Sequence, residues 1–193
     1  MIRIGITGGI GSGKTFVSKR LQAMGFPVFD SDKVSKQLMN TNAEIRIKLT
    51  EWIGEACYNE HGLNRSYVAQ KMFGNDDLKL QIEQLVHPKV AAAFEKWTQE
   101  QESNLVFIES AILYECGFDK YVDKVLLVDA DTETRIRRTM QRDICSREQA
   151  EQRVNAQMSN ADKRKRADFV IENNPHCDIN AQLFKLAKQL YLL

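Results

Sequence analysis

The chain of 193 residues contains little cysteine, little proline and almost no net charge, and each shortage argues against a class of protein. Its four cysteines form no C-x-x-C pair and have no histidine at zinc-site spacing, so we expect reduced thiols. With three prolines and ten glycines, no flexible linker divides the chain. The net charge of +1 argues against a general nucleic-acid binder, and we expect no nucleic-acid partner.

Long apolar segments are also missing from the sequence. No stretch approaches the roughly 20 apolar residues that a membrane helix needs. The amino terminus MIRIGITGG lacks the apolar core of a signal peptide. We therefore expect a cytoplasmic protein without a membrane partner.

Short β-branched runs alternate with longer segments of helical periodicity, which is typical of βαβ units. Five strands are predicted, at residues 2–7, 26–30, 105–109, 124–129 and 169–172. A helix is predicted over residues 14–24, and a last helix from near Asp178. The pattern indicates an α/β fold with a parallel five-stranded sheet flanked by helices.

Two segments do not fit a minimal alternation of strands and helices. Residues 33–103 are predicted to form a wholly helical lobe, and residues 132–166 a second helical segment rich in arginine and lysine. Ser146 and Gln149 have the spacing of a capping box in the second segment. One domain over residues 1–193 is expected, with its core at 1–32, 104–131 and 167–193.

Residues 8–15, GGIGSGKT, match the pattern G-x-x-x-x-G-K-[ST] of a phosphate-binding loop between a strand and a helix. Glycine allows backbone N–H groups to approach phosphate oxygens closely, and the following helix adds its positive end. The ammonium of Lys14 can bridge the β- and γ-phosphates of ATP, and the Thr15 hydroxyl can bind Mg²⁺. The fold is therefore P-loop NTPase-like, and the predicted nucleotide-binding residues are Gly9, Ile10, Gly11, Ser12, Gly13, Lys14, Thr15 and Phe16.

Asp32 follows the second predicted strand, whose carboxyl end faces the nucleotide crevice in such a sheet. A carboxylate there can accept a proton from an attacking hydroxyl or hold a metal-bound water. The alternative is structural, because Asp32 or Ser31 could simply cap a helix over residues 33–39. The neighbouring glycine loop favours the functional interpretation.

Four arginines fall on one predicted helix, at Arg135, Arg137, Arg138 and Arg142. Phosphoryl transfer builds negative charge on the moving group, and arginines supplied by a lid can stabilise that charge. The alternative is a solvated helix face, which remains open for any single arginine. The cluster as a whole favours an arginine-rich helical lid over residues 132–166.

Six segments, taken in order along the chain, resemble the dephospho-coenzyme A kinase family. They are ITGGIGSGK at 6–14, VFDSD at 28–32, LVHP at 85–88, ILYE at 112–115, RTMQRD at 138–143 and VIENN at 170–174. The first segment alone indicates only the P-loop superfamily, whereas the ordered set is more specific.

The resemblance implies ATP-dependent phosphorylation of the ribose 3′-hydroxyl of dephospho-coenzyme A, with Mg²⁺ and with residues 33–103 as an acceptor-binding lobe. It implies that Asp32 is the base or orients the hydroxyl. The phosphate clamps that it implies are Lys14, Arg142 and Arg138. The remaining residues are placed near the acceptor (Thr7, His87 and Leu113) or near the adenine of ATP (Asn174).

The sequence alone leaves other functions open. A different small-molecule P-loop kinase, such as a nucleoside monophosphate or shikimate-type kinase, would share the loop and the lid. A GTPase would need an Asn-Lys-x-Asp element, which the chain lacks. The strand LVFIE at 105–109 imitates the acidic strand of ATP-driven mechanical proteins, but the short chain and the lid favour a kinase. We expect a monomer or a small homo-oligomer.

Overall fold

The computed structural model describes residues 1–190, so the last three residues of the predicted core lie outside the described part. The described chain divides into two compact units. One contains residues 1–30 and 100–190, and the other contains residues 31–99. Among residues 1–190, no helix is both long and apolar enough to cross a bilayer.

Seven strands and nine α-helices make up the described chain. The strands are β1 (Ile2–Thr7), β2 (Val28–Asp30), β3 (Tyr58–Asn59), β4 (Gly62–Leu63), β5 (Leu105–Glu109), β6 (Lys124–Asp129) and β7 (Phe169–Glu172). The helices are α1 (Lys14–Ala23), α2 (Ser31–Thr41), α3 (Ala43–Ile53), α4 (Arg65–Met72), α5 (Asp76–Gln99), α6 (Thr132–Asp143), α7 (Arg147–Asn155), α8 (Asn160–Arg166) and α9 (Ile179–Leu190).

The first unit is built on a five-stranded parallel sheet with the order β2-β5-β1-β6-β7. β1 is central, and Ile4 and Ile6 on it are fully buried. Because all five strands are parallel, their carboxyl ends meet at one edge of the sheet. The five-stranded parallel sheet predicted from the sequence is confirmed.

Helices α1 and α9 pack into the same apolar core as the sheet. On α9 the buried stripe is Ile179, Leu183, Leu186 and Leu190, as the helical spacing predicts. α1 ends at Ala23, and Gly25 soon after it has a φ of 91°, in the left-handed region that glycine adopts readily. Phe26 then packs edge-on against Phe107, with 5.6 Å between the ring centroids.

The second unit is mostly helical, but the prediction that it is wholly helical is wrong. β3 and β4 form a small antiparallel hairpin, with Tyr58 opposite Leu63. The Asn40 side chain fixes this hairpin by accepting a hydrogen bond from the Leu63 N–H at 2.8 Å. Tyr58 adds a second tie, because its hydroxyl donates to the Met39 carbonyl at 2.6 Å.

Helix α5 runs for 24 residues and contains Pro88 in its interior. His87 therefore lies inside a helix rather than at its end. The strand bounds predicted for β1, β5, β6 and β7 are confirmed. β2 begins at Val28, two residues later than predicted, and the capping box of Ser146 and Gln149 is present at the start of α7.

Candidate active site

The glycine loop connects the carboxyl end of β1 to the amino end of α1. Gly11 and Gly13 have φ angles of 77° and 92°, in the region that side chains rarely adopt. A Cβ at Gly13 would lie 2.0 Å from Nδ2 of Asn173, so the site has no room for a larger residue. No side chain caps α1, which leaves the helix start open to an anion.

Several polar groups of the loop have no protein partner. The backbone N–H groups of Gly11, Gly13 and Thr15 donate to no group in the described part of the chain. The buried hydroxyls of Thr7 and Ser12 also have no hydrogen-bond partner among residues 1–190. Buried polar groups are nearly always paired, so this concentration indicates a polar ligand.

The ammonium of Lys14 lies over the loop and donates to the carbonyls of Gly8 at 2.9 Å and Gly9 at 3.5 Å. These contacts hold a positive charge at the mouth of the loop. The charge and the N–H groups together form a site for a phosphate chain.

Thr15 and Glu109 form a hydroxyl–carboxylate pair beside the loop. Oγ1 of Thr15 donates to Oε1 of Glu109 at 2.8 Å. Glu109 ends β5, and its register places it beside Ile6 of β1 and Asp30 of β2. Magnesium prefers hard oxygen ligands and usually keeps only one or two from the protein. The pair therefore fits the Mg²⁺ that Thr15 is predicted to bind.

Two arginines of α6 lie against the glycine loop. Arg135 is buried, and its Nε donates to the Ile10 carbonyl at 3.1 Å. Burial lowers the pKa of the Arg135 guanidinium, and the charge of Asp129 opposes this effect. Nη1 of Arg138 lies 3.8 Å from where a Gly13 Cβ would be, and this buried nitrogen has no partner in the described chain. Both arginines therefore place charge beside the loop.

Two other arginines of residues 132–166, Arg142 and Arg147, pair with carboxylates. Arg142 contacts both carboxylate oxygens of Asp143, at 2.7 and 3.0 Å, and its side chain is 61% exposed. The hydrogen bond to Asp143 raises the pKa of Arg142. Arg147 binds Glu133 and Glu151 in the same way. The structure thus brings Arg138 to the loop, whereas Arg142 lies in an ion pair at the surface.

Asn173, rather than Asn174, contacts the glycine loop. The buried Asn173 side chain donates to the Ser12 carbonyl at 2.7 Å. The Asn174 side chain accepts from the Asp131 N–H at 2.9 Å, just before α6. Phe16 is half-exposed on α1, with the Arg20 guanidinium 4.5 Å from its ring centroid.

The segment after β5 is held by a buried lysine. Lys163 of α8 is fully buried, and its ammonium contacts the Ala111 carbonyl at 2.8 Å and Glu115 at 2.9 Å. The predicted substrate residue Leu113 is also fully buried. Its methyl groups fill the space above Gly5, where an added Cβ would lie 2.7 Å from Cδ2 of Leu113.

Asp32 and His87 belong to the second unit. α2 begins at Ser31, so Asp32 lies in its first turn, where its side chain is exposed. His87 lies on α5 and is half-buried. Burial lowers its pKa, and Glu83 opposes the shift, so the neutral imidazole is favoured.

Three residues at the site were not predicted from the sequence: Glu109, Asn173 and Gln157, whose Oε1 accepts a hydrogen bond from the Ile10 N–H at 2.7 Å. Arg135 was predicted only as a member of the arginine cluster. Glu109 carried a signal, because it ends an apolar strand in the manner of a metal-binding acid. Asn173 stands beside the predicted Asn174 after β7. Periodicity alone did not indicate which α6 arginine would lie against the loop, and Gln157 lies between α7 and α8, where no pattern marks it.

The chain is similar to known proteins over most of its length. A family model for dephospho-CoA kinase matches residues 2–178. The chain is 40% identical over 191 residues to a dephospho-CoA kinase of Bacteroides fragilis (strain YCH46), covering 98% of this chain and 93% of that protein. It is 42% identical over 176 residues to one from Porphyromonas gingivalis, covering 91% and 87%.

A solved structure is also similar over nearly the whole chain. The crystal structure of TT1252 from Thermus thermophilus superposes with a TM-score of 0.85 at 34% identity, covering 97% of this chain and 96% of that one. Fold, glycine loop and relatives point the same way, and the chain belongs to the dephospho-CoA kinase family.

Proposed function

We propose that the chain transfers the γ-phosphate of ATP to the ribose 3′-hydroxyl of dephospho-coenzyme A, giving coenzyme A and ADP as the last step of coenzyme A synthesis. The observation that carries the proposal is the group of unpaired donors in the loop, the N–H groups of Gly11, Gly13 and Thr15, in a chain of this family. A triphosphate supplies the acceptors that these donors lack.

In the reaction, the acceptor oxygen forms a bond to the γ-phosphorus while the bond to the oxygen between the β- and γ-phosphorus atoms breaks. We assign Lys14 and Arg138 to the charge that develops on the transferred group. We assign Asp32 to the acceptor hydroxyl, where it orients the group and takes its proton. Because the transition state of phosphoryl transfer is loose, orientation contributes more than basicity.

Arg142 is proposed as a further phosphate clamp. It must leave Asp143 to serve in this way, and the structure makes that exchange inexpensive. Asp143 also binds Arg153 at 2.7 Å, so its carboxylate stays paired when Arg142 departs. Exposed ion pairs contribute little to stability, which also favours release.

A magnesium ion would be held by the Thr15 hydroxyl and, directly or through water, by Glu109. When bound, it neutralises charge on the β- and γ-phosphates. The remaining assignments follow the resemblance, with Thr7, His87 and Leu113 beside the acceptor and Phe16 and Asn174 beside the nucleotide. Since the Leu113 side chain is buried, its contact with substrate would come from the backbone.

The cytoplasm as location and a monomer or small homo-oligomer as assembly remain part of the proposal. The nucleotide loop does not require a second copy of the chain, because the loop and the arginines that contact it come from one unit.

The direct test is incubation with ATP, Mg²⁺ and dephospho-coenzyme A, followed by mass spectrometry of the acceptor. We expect the mass of one phosphate to be added, and no addition with a Lys14→Met variant. Adenylate serves as the competing acceptor. If adenylate is phosphorylated and dephospho-coenzyme A is not, the chain is a nucleoside monophosphate kinase.

Asp32 is tested separately from the loop. Asp32→Asn keeps the shape of the side chain but removes its charge and its basicity. We expect kcat to fall by about 10² to 10⁴ while ATP affinity stays near wild type. A normal kcat would make Asp32 a structural residue of α2.

A further inference from the structure

Ile10, the third residue of the glycine loop, is held at three points by the helices of the lid. Its N–H donates to Oε1 of Gln157 at 2.7 Å. Its carbonyl accepts from Nε of Arg135 at 3.1 Å. Its side chain packs against an apolar cluster between α6 and α7 formed by Ile136, Met140, Cys145, Ala150 and Val154. One loop residue therefore contacts α6, α7 and the link between α7 and α8.

Arg135 is unusual for a buried cation. It is 4% exposed, and its only hydrogen bond from the side chain within the described residues goes to the Ile10 carbonyl. It also fills the space that side chains at Gly9 and Gly11 would need. A Cβ at Gly9 would lie 1.9 Å from its Nη2, and one at Gly11 would lie 2.3 Å from its carbonyl oxygen. The loop and this arginine are thus fitted to each other.

Gln157 lies in the short link between α7 and α8. With its contact counted, some N–H groups of the loop are bonded within the protein and others are not. The N–H of Ile10 is directed to Gln157, and that of Ser12 to the Gly9 carbonyl at 3.1 Å. The N–H groups of Gly11, Gly13 and Thr15 are left for a ligand. Without Gln157, the Ile10 N–H would have no partner and the loop would lose one fixed point.

We propose that Arg135 and Gln157 are positioning residues that act through Ile10 to hold the glycine loop in its nucleotide-binding shape. The proposal rests on the proposed function only in taking an adenine nucleotide as the ligand of the loop. It makes ATP affinity depend on lid residues that need not touch ATP.

The physical reason is pre-organisation. A loop that is already fixed loses less conformational freedom on binding, so the ligand binds more tightly. One intramolecular hydrogen bond contributes up to about tenfold in an equilibrium constant. Because both contacts fix the same residue, the loss of one should weaken the effect of losing the other.

The experiment measures ADP dissociation constants by calorimetry, without acceptor, for Gln157→Leu, Arg135→Gln and the double variant. Gln157→Ala and Arg135→Lys serve as second variants if either substitution prevents folding. Gln152 and Arg137 supply matched controls, as Gln152→Leu and Arg137→Gln. Both are exposed residues of α7 and α6, and neither side chain forms a hydrogen bond or ion pair among residues 1–190.

We expect each single variant to weaken ADP binding by about three- to tenfold, with KM for the acceptor unchanged. The double variant should weaken binding by less than the product of the two single effects. A loss of thermal stability alone, with binding equal to that of the controls, would overturn the proposal and leave the proposed function intact. Failure of the wild-type chain to bind ADP would overturn both.

Discussion

Four arginines of residues 132–166 occur in two different environments, one pair beside the glycine loop and one exposed pair at the surface. Arg135 and Arg138 lie against the glycine loop, and neither forms a hydrogen bond or ion pair with a carboxylate in the described chain. Arg142 and Arg147 lie in solvent, and each binds a carboxylate. A run of arginines therefore does not by itself indicate a ligand. Burial without a hydrogen-bonded carboxylate is the better indicator, because a bound anion can then pair with the buried arginine.

Substitution of Arg138 should give the largest effect in this comparison. We expect Arg138→Met to lower kcat by about 10² to 10³, because it removes a donor aimed at the developing charge. The melting temperature should stay equal or rise, since a buried unpaired nitrogen is removed. Steady-state kinetics and thermal melts measure the two effects, with Arg137→Met as control. A kcat within threefold of wild type would contradict the assignment.

Substitution of Arg142 should give a smaller loss. We expect Arg142→Met to lower kcat by about tenfold, the value of one charge-assisted hydrogen bond made after release from Asp143. Stability should change by less than about 1 kcal/mol, because the ion pair is exposed. We measure kcat for Arg142→Met and for Arg147→Met, and only the first variant should lose activity. If kcat falls as much as it does in Arg138→Met, the pair beside the loop and the exposed pair do not differ in their contribution to catalysis.

A substitution at Ile144, on the exposed side of this segment, should change stability without changing activity. It ends α6 with φ 48° and ψ 52°, a left-handed conformation that is strained for a β-branched residue, and it is 94% exposed. Ile144→Gly should raise the free energy of unfolding by about 0.5 to 1 kcal/mol, since the relief of strain exceeds the added chain entropy. Urea unfolding measures it.

Ile144→Ala is the matched control for this prediction. Alanine keeps the Cβ that clashes in the left-handed region, so it should give less stabilisation than glycine. If glycine stabilises no more than alanine, strain at this position is not the cause. Activity should be unchanged in both variants.

The smallest expected effect is the pH dependence of the stability that Asp143 contributes. The hydrogen bond from Arg142 lowers the pKa of this carboxyl, and Arg153 adds to the shift. A lowered pKa contributes stability above the ordinary value of about 4, and this contribution is lost as the pH falls through the folded-state pKa. We therefore expect wild type to exceed Asp143→Asn slightly in unfolding free energy at pH 7, and the difference to shrink below pH 4.

Urea unfolding of both chains at a series of pH values measures this difference. The charge-neutral exchange of Gln152→Asn, on an exposed side of α7, controls for general effects of acid. A difference that grows on acidification would mean that Asp143 is not stabilised by its arginines.

The sequence predicted the sheet well because its strands are short apolar runs with clear ends. β1, β5, β6 and β7 have the predicted bounds. β2 is shorter because Pro27 has no N–H to give to a strand ladder, although its carbonyl accepts from Phe107 at 2.9 Å. The hairpin of β3 and β4 was missed because two-residue strands show no alternation. Their pairing depends on Asn40, far away in sequence.

The site was predicted where a motif fixes the chemistry and missed where tertiary packing fixes it. The residues of the glycine loop lie at the predicted place. The burial of Leu113 depends on the absent side chain of Gly5, and the contact of Gln157 depends on how the α7–α8 link folds over Ile10. Neither is encoded in a local pattern, so a single sequence does not reveal them.

Gly5 and Leu113 have a consequence for how this chain can change. They share one packing volume, and a Cβ at position 5 would lie 2.7 Å from one leucine methyl and 3.1 Å from the other. A side chain at position 5 therefore requires a residue smaller than leucine at position 113. The choice of residue at position 5 is thus limited by a side chain 108 residues away in the sequence.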